Sequence, residues 1–196
     1  TRSVEAEEEF VAQRGAHTLQ ARVKLRVTPL PKGGDFKFVD GLVPGRVPPA
    51  FIKSIEAALH EAMAGGVLAG YPLVDVQVDL VDASYVEDQS AEGALQSAAV
   101  MAFNKAIREA SPVLLEPYMR IEVMVPEENL GDVIGDLNAR RGEIEGMEPR
   151  IGGMHAVRGH IPLAETFGYA TDLRSGTQGR GAFTLEFDYY GRVPVQ

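Results

Sequence analysis

Two stretches of two-residue alternation, each followed by helical periodicity and divided by a pair of prolines, constrain this chain to two mixed modules. In the first, Leu19, Ala21, Val23, Leu25 and Val27 share one face while Gln20, Arg22, Lys24 and Arg26 take the other, the pattern of a half-buried strand. Pro29–Gly34 reads as a turn, and Phe36–Val43 as a second strand. Pro48 and Pro49 open a helix running to about Ala64, with Ile52, Ile55, Leu59 and Ala62–Met63 as its stripe and Gly65-Gly66 as its stop. Val74, Val76, Val78 and Leu80 form the next strand face, against Asp75, Gln77 and Asp79. Ser90 caps a long helix to about Ala110, with Leu95, Ala99, Ala102 and Ala106 inward.

Pro112 ends that helix and Pro117 follows, so the boundary is placed between them, giving modules 1–115 and 116–196. The alternation restarts at Met119, Ile121, Val123 and Val125. Pro126 opens a helix carrying Leu130, Val133, Ile134 and Leu137, closed by Gly142. Strands at Glu143–Pro149 and Met154–Ile161 follow, then a helix over Leu163–Ser175 with Phe167, Ala170 and Leu173 inside and Gly176 at its end. A last strand sets Phe183, Leu185, Phe187 and Tyr189 against Thr184, Glu186 and Asp188. The fold class is therefore α+β: a βαβ-containing module, then a ferredoxin-like βαββαβ sandwich, an architecture that names no function by itself.

Charge and composition limit the chemistry. The net charge of −9 is not the footprint of a general nucleic-acid binder, so any RNA contact must rest on local basic groups. The second module contains Arg and no Lys; Arg is the better match to planar, bidentate phosphate contacts, although composition alone accounts for the bias. No Cys is present, which excludes disulfides and thiolate metal sites and fits a reducing cytoplasm. No apolar run approaches the roughly 18 residues of a membrane span, and the acidic start, TRSVEAEEEF, is unlike a signal or transit peptide.

No G-x-x-x-x-G-K-[ST] sequence occurs, and the Gly-rich Gly176–Gly181 precedes a strand instead of opening a helix, so no cofactor or nucleotide site is expected. His155 and His160 are five apart, on opposite strand faces, and share no metal; no metal or catalytic constellation is expected. Asp75 and Asp79 with Asp82 beyond read as a solvated face. Glu5, Glu7, Glu8 and Glu9 read as a strand edge or frayed end. Arg140-Arg141 has two readings: cations meeting a helix C-terminus, or an exposed pair for RNA phosphate.

LEPYMRIEVMVPEENLGDVIGDLNARRGEIEGMEPR and PLAETFGYATDLRSGTQGRG resemble the fifth domain of bacterial elongation factor G. FVDGLVPGRVPPAF and GYPLVDVQVDLVDASY resemble its fourth domain. The resemblance implies a ribosomal-protein-like fourth domain over 1–115 and a ferredoxin-like fifth domain over 116–196. It also implies a fragment of a larger factor, whose GTP is bound by domains with no counterpart here. The implied partners are the ribosome, meaning rRNA, ribosomal proteins and tRNA–mRNA at the decoding centre; the chain is expected to be a cytoplasmic monomer with no membrane partner. Two tip loops would make the decoding-centre contact, with Gly15, Ala16, His17 and Thr18 in one and Ser84, Tyr85, Val86 and Glu87 in the other. Arg140, Arg141, Arg174, Gln178 and Arg180 would meet rRNA. The tip departs from the family pattern: GGRGQYGH becomes GAHTLQAR at Gly15–Arg22, and the His of D-G-S-Y-H-E becomes Val86. The resemblance implies a part in translocation or a related ribosomal step, and the departure at the tip speaks against ordinary translocase activity; the alternatives are a recycling or ribosome-protection paralogue, or a protein-interaction module away from the ribosome.

Overall fold

A computed structural model of the protein describes residues 2–67 and 69–194. Its chain divides at Pro112/Val113 into two compact units, earlier than the expected 115/116 division. Leu115 already pairs with Arg192, and the Val193 amide donates to the Leu114 carbonyl, so these residues belong to the second sheet.

In the first unit, strands β1 (Val4–Arg14), β2 (His17–Pro29), β3 (Phe36–Asp40) and β4 (Val76–Tyr85) form one sheet in the order β1-β2-β4-β3. β1/β2 and β2/β4 are antiparallel and β3/β4 is parallel. The parallel pair requires a crossover, supplied by helix α1 (Pro49–Gly65); helix α2 (Ala91–Glu109) follows β4 and packs on β1 and β2. The inward row of β2 is buried from Leu19 to Val27 against Ile55, Leu59, Leu95 and Phe103. On α2 the buried face is mostly alanine (Ala94, Ala98, Ala99, Ala102, Ala106), which lets the helix approach the strands closely.

Three local readings are corrected here. β3 stops at Asp40 instead of Val43, because Gly41 bonds the Leu80 carbonyl and the chain then leaves the sheet, exposing Val43. β4 starts at Val76, not Val74: Asp75 takes φ 58°, and its carboxylate accepts from the Asp35 amide, so Val74 lies exposed, outside the ladder. Ser90 occupies the N-cap of α2 without a side-chain capping bond; instead the Asp88 carboxylate accepts from the Ser90 amide.

The second unit holds strands β5 (Leu115–Pro126), β6 (Glu143–Arg150), β7 (Met154–Pro162) and β8 (Ala182–Arg192) in the order β6-β7-β5-β8, all antiparallel. Helix α3 (Leu130–Ala139) joins β5 to β6 and helix α4 (Tyr169–Gly176) joins β7 to β8, which is the ferredoxin-like arrangement. Ile121, Val123, Val125, Val133, Leu137, Val157, Ile161, Tyr169 and Leu173 form its core. Pro117 lies inside β5, not in a linker; the β7 ladder begins only at Tyr118, so the missing proline N–H falls where β5 has one neighbour. The register shift at Tyr118/Met119 leaves Asp188 as the extra residue of β8, turning its side chain away from the Phe183–Phe187 row.

The largest correction concerns Leu163–Ser175, which is not one helix. A 3-10 turn at Leu163–Glu165 is separated from α4 by Gly168, whose φ of 79° is left-handed. The break rotates Phe167 into solvent, 77% exposed, leaves Ala170 exposed too, and places Tyr169 in the core instead. At the end of α3 the left-handed residue is Arg141 (φ 59°). Gly142 is required for another reason: a Cβ there would lie 2.7 Å from the Leu137 carbonyl oxygen.

A fragment spanning 113–196 should therefore unfold in one cooperative thermal transition, and Leu137→Ala within it should cost about 2–5 kcal/mol in urea titration. A broad, non-cooperative melt of the fragment would contradict the independence of this core.

Candidate functional site

The first candidate surface is the end of the β1–β2 hairpin. Arg14 pairs with His17 across Gly15-Ala16, and only Gly15 of these two takes positive φ (63°), the dihedral pattern of a type II′ turn. Nothing lies within 4 Å of where a Gly15 Cβ would stand, so conformation and not space calls for glycine. β4 ends at Tyr85, opposite Ala21, and the Val86 amide extends the ladder by one bond to the Gln20 carbonyl (2.9 Å). The hairpin continues about five residues further, a projection of ~17 Å. Gly15–Thr18 and Ser84–Glu87 thus belong to one end of one sheet. They are not both loops: His17 and Thr18 are paired strand residues, Ser84 and Tyr85 close β4, and only Gly15-Ala16 and the chain from Val86 leave the ladder. No proline or glycine interrupts His17–Arg22, so pairing runs to the turn. The Tyr85 ring turns inward, edge-on to Phe51 at 5.9 Å, whereas Val86 is 47% exposed.

Below this end the outer sheet face is a ladder of opposite charges. Glu5, Glu7 and Glu9 stand across from Arg26, Lys24 and Arg22. Glu5 pairs with Arg26 and Lys24, Glu7 with Arg22 (3.3 Å), and Glu9 accepts from Gln20. The hydrogen bonds from Arg26, then Lys24, hold the Glu5 carboxyl below the usual glutamate range. Glu8 faces the helices and pairs with Lys105 (2.8 Å), which raises the Lys105 ammonium above its ordinary value. The acidic run is thus ordered, not frayed. Asp82 joins Arg22 (3.7 Å) and Arg46 (3.5 Å), and Arg46 Nε also donates to the Ala83 carbonyl (3.1 Å). A cleft of about 700 Å³ opens beside these groups, lined among others by Glu7, Glu9, Gln20, Arg22, Ser84 and Val86. Arg46 was not singled out from the sequence; its only signal is a lone Arg after a left-handed Gly45 in a proline-rich loop.

In the second unit, Arg140 faces inward, and the half-exposed Arg141 is held by neighbouring carboxylates. The Arg140 side chain is 16% exposed; its Nε meets both Asp136 oxygens (3.1 Å), Nη1 donates to the Glu165 and Phe167 carbonyls (2.9 and 3.3 Å), and Nη2 meets Asp172. Its guanidinium lies 5.2 Å from the Tyr169 ring centre. Arg141 forks onto Glu116 (2.7 and 3.0 Å) and reaches Glu165 (3.0 Å). These bonds, the Glu116 pair first, raise the Arg141 guanidinium well above its ordinary value. Burial, then the Asp136 charge, raises the Tyr169 phenol. Arg180 pairs with Glu128, whereas Arg174 and Gln178 are exposed and have no side-chain partner among the described residues. Gln178 takes φ 54°. His160 sits between Glu145 (3.2 Å) and Asp188 (2.6 Å), apart from the half-buried His155, and the described residues contain no cluster arranged to hold a metal ion.

With this geometry in place, family comparison is decisive. The model for elongation factor G domain IV matches residues 1–111, and that for the elongation factor G C-terminus matches 113–196. The chain belongs to the elongation factor G family. A crystal structure of a protein from Thermus thermophilus superimposes with a TM-score of 0.84 at 39% identity, covering 99% of this chain and 29% of that one. This chain therefore spans less than a third of that relative's length, and corresponds to the family's domain IV and C-terminal domain. No helix among the described residues is long and apolar enough to cross a membrane.

Two measurements test the electrostatics. Arg141→Ala should destabilise the protein by about 1–3 kcal/mol, because Glu116, 11% exposed, is left unpaired. Adding Glu116→Gln should recover part of that loss in a double-mutant cycle. Arg158 hydrogen-bonds Glu122 and depresses its carboxyl, so the pair's contribution is present above the ordinary glutamate range and is lost as pH falls through the lowered value. The stability gap between the parent and Arg158→Gln should therefore be larger at pH 7 than at pH 3 in urea unfolding; a gap independent of pH would deny the linkage.

Proposed function

We propose that this chain is the ribosome-binding C-terminal portion of an elongation-factor-G-like translational GTPase, acting in translocation or a related ribosomal step. The family assignment supports the reading, and one structural observation carries it: the bond from Val86 N–H to the Gln20 carbonyl sets the second tip segment at the root of the projecting hairpin that carries the first. In this reading Gly15–Thr18 and Val86–Glu87 approach tRNA–mRNA at the decoding centre, with Arg46, held at Asp82 and Ala83 lower on the same sheet, as a further cation. Ser84 and Tyr85 fix the end of β4 from which Val86 departs. In the second unit Arg174, Gln178 and Arg180 meet rRNA. Arg140 and Arg141 serve that surface indirectly, by holding the 165–172 segment in place. Ribosomal proteins are further partners, the cytoplasm is the site of action, and the factor works as a monomer without a membrane partner. GTP belongs to domains outside this chain, which itself holds no cofactor.

Val86 favours a step other than ordinary translocation. An exposed valine offers no hydrogen bond where the family pattern has a histidine. Grafting this domain IV into a standard elongation factor G should slow single-round translocation while ribosome co-sedimentation persists. Val86→His should restore part of the rate, and restoring the Gly-rich first loop as well should restore more. Translocation by the unmodified graft at the standard rate would remove the functional meaning of the altered tip. Failure of the protein itself to co-sediment with ribosomes would remove the reading altogether.

A further inference from the structure

Irregularities on both edge strands of the second sheet aim at one side chain. Glu145 is the extra residue where the β6/β7 register shifts between Ile144 and Gly146, as Asp188 is in β8. A bulge re-aims the side chain it frees. Here both carboxylates turn onto the imidazole of His160 on β7. Nδ1 lies 3.2 Å from Glu145, and Nε2 lies 2.6 Å from Asp188, which reaches over β5. The imidazole is 12% exposed, and its ring centre lies 5.4 Å from that of Tyr189, itself stacked on Tyr118.

The two contacts are unequal. Asp188 also holds Arg120 (3.0 Å), and its contact with Nε2 is a short hydrogen bond. Glu145 is 60% exposed and meets no other cation among the described residues. The remaining charges on this face are Glu143, opposite His160 on β6, and Glu186, opposite Arg120 on β8. Arg158, next on the same face of β7, is taken by Glu122 and Glu148. Burial first, then Glu143 and the other acidic groups here, raises the Tyr189 phenol, so that ring stays neutral while histidine titrates. An imidazolium can donate from both nitrogens and serve both carboxylates. A neutral ring has one N–H, which stays with the better-anchored Asp188, and its Nδ1 lone pair then faces the Glu145 carboxylate.

We infer that His160 is a proton-dependent latch on β6: protonated, it holds the Glu145 bulge; neutral, it keeps Asp188 and lets Glu145 go. Histidine ordinarily changes charge between about pH 5 and 8, and the latch works in that range, closed on the acid side and open on the alkaline side. Opening loosens the edge strand β6 and its hairpin, while β7, β5 and β8 stay joined through Asp188. The device does not depend on what the second unit binds. Two NMR readings on the whole chain test it. Both side-chain nitrogens of His160 should carry protons at about pH 5, and Nδ1 alone should have lost its proton by about pH 8. Hydrogen exchange of the amides around Gly146 is corrected for its intrinsic rate and referred to Val157 in the core of β7. These amides should be about two- to fivefold less protected at the higher pH. Glu145→Gln supplies a neutral amide that can accept from an N–H or donate to a lone pair. In that variant β6 protection should become independent of pH while His160 still titrates; Glu145 is exposed, so the substitution leaves the fold in place. Proton loss from Nε2 instead of Nδ1, a ring equally protonated at both pH values, or a pH-dependent β6 that survives Glu145→Gln would each overturn the latch.

Discussion

Arg140 reaches across from the end of α3 to the carbonyls of Glu165 and Phe167 and to Asp172, and much of the second unit's surface follows from that reach. The backbone from Leu163 to Gly168 belongs to neither β7 nor α4 and has no ladder partner of its own. A planar guanidinium with five donors can satisfy several acceptors at once, which an ammonium cannot do with fixed geometry. With Arg141 forked onto Glu116, the adjacent pair joins the start of β5, the end of α3 and the approach to α4. Glycine at 168 then supplies the left-handed turn that lets Tyr169 enter the core. The same interaction that closes the interior therefore decides what the exterior displays.

The first unit handles charge in a similar way. Its most basic strand, β2, carries Arg22, Lys24 and Arg26 on the outer face, a row suited to phosphate if it stood alone. The acidic β1 runs alongside and neutralises it pair by pair. What is left for a partner towards the hairpin end is the backbone of the Gly15-Ala16 turn, the exposed Thr18 beside it and the exposed Val86 at its root. An acidic protein can approach RNA in this way, confining its contacts to a few positions while the rest of the face stays locally neutral.

Elements with a local period were legible in the sequence. The β2 row and the alanine stripe of α2 need only alternation or 3.6-residue spacing, and both are buried as read. What was hidden depended on neighbours distant along the chain. Nothing near Arg140 says that Asp172 and two carbonyls will come round to meet it, so the pair read as a helix end first and an open cation site second. Phe167 and Ala170 fit a helical stripe, and only the tertiary anchoring of Tyr169 shows that the stripe is broken at Gly168. The Gly15–Arg22 stretch aligns with a loop in the family pattern, yet the alternation read from Leu19 onward already made its second half a strand. For the tip, local physics was the better guide.

The hairpin that outruns β4 has a mechanical meaning. From Gln13 to Thr18 it is a ribbon of two strands with no third strand beside it, and the side chains described there are all exposed. Such a ribbon twists more than a wide sheet and draws little stability from its surroundings. Lower down, the same strands are backed by α2 and fixed in a buried core. The element is thus stiff at its root and compliant at its end, like a feeler mounted on a rigid base. Amides of the outer turn should open to solvent far more readily than those at Val23 and Leu25, and the protein can adjust to what it touches without disturbing the body behind it.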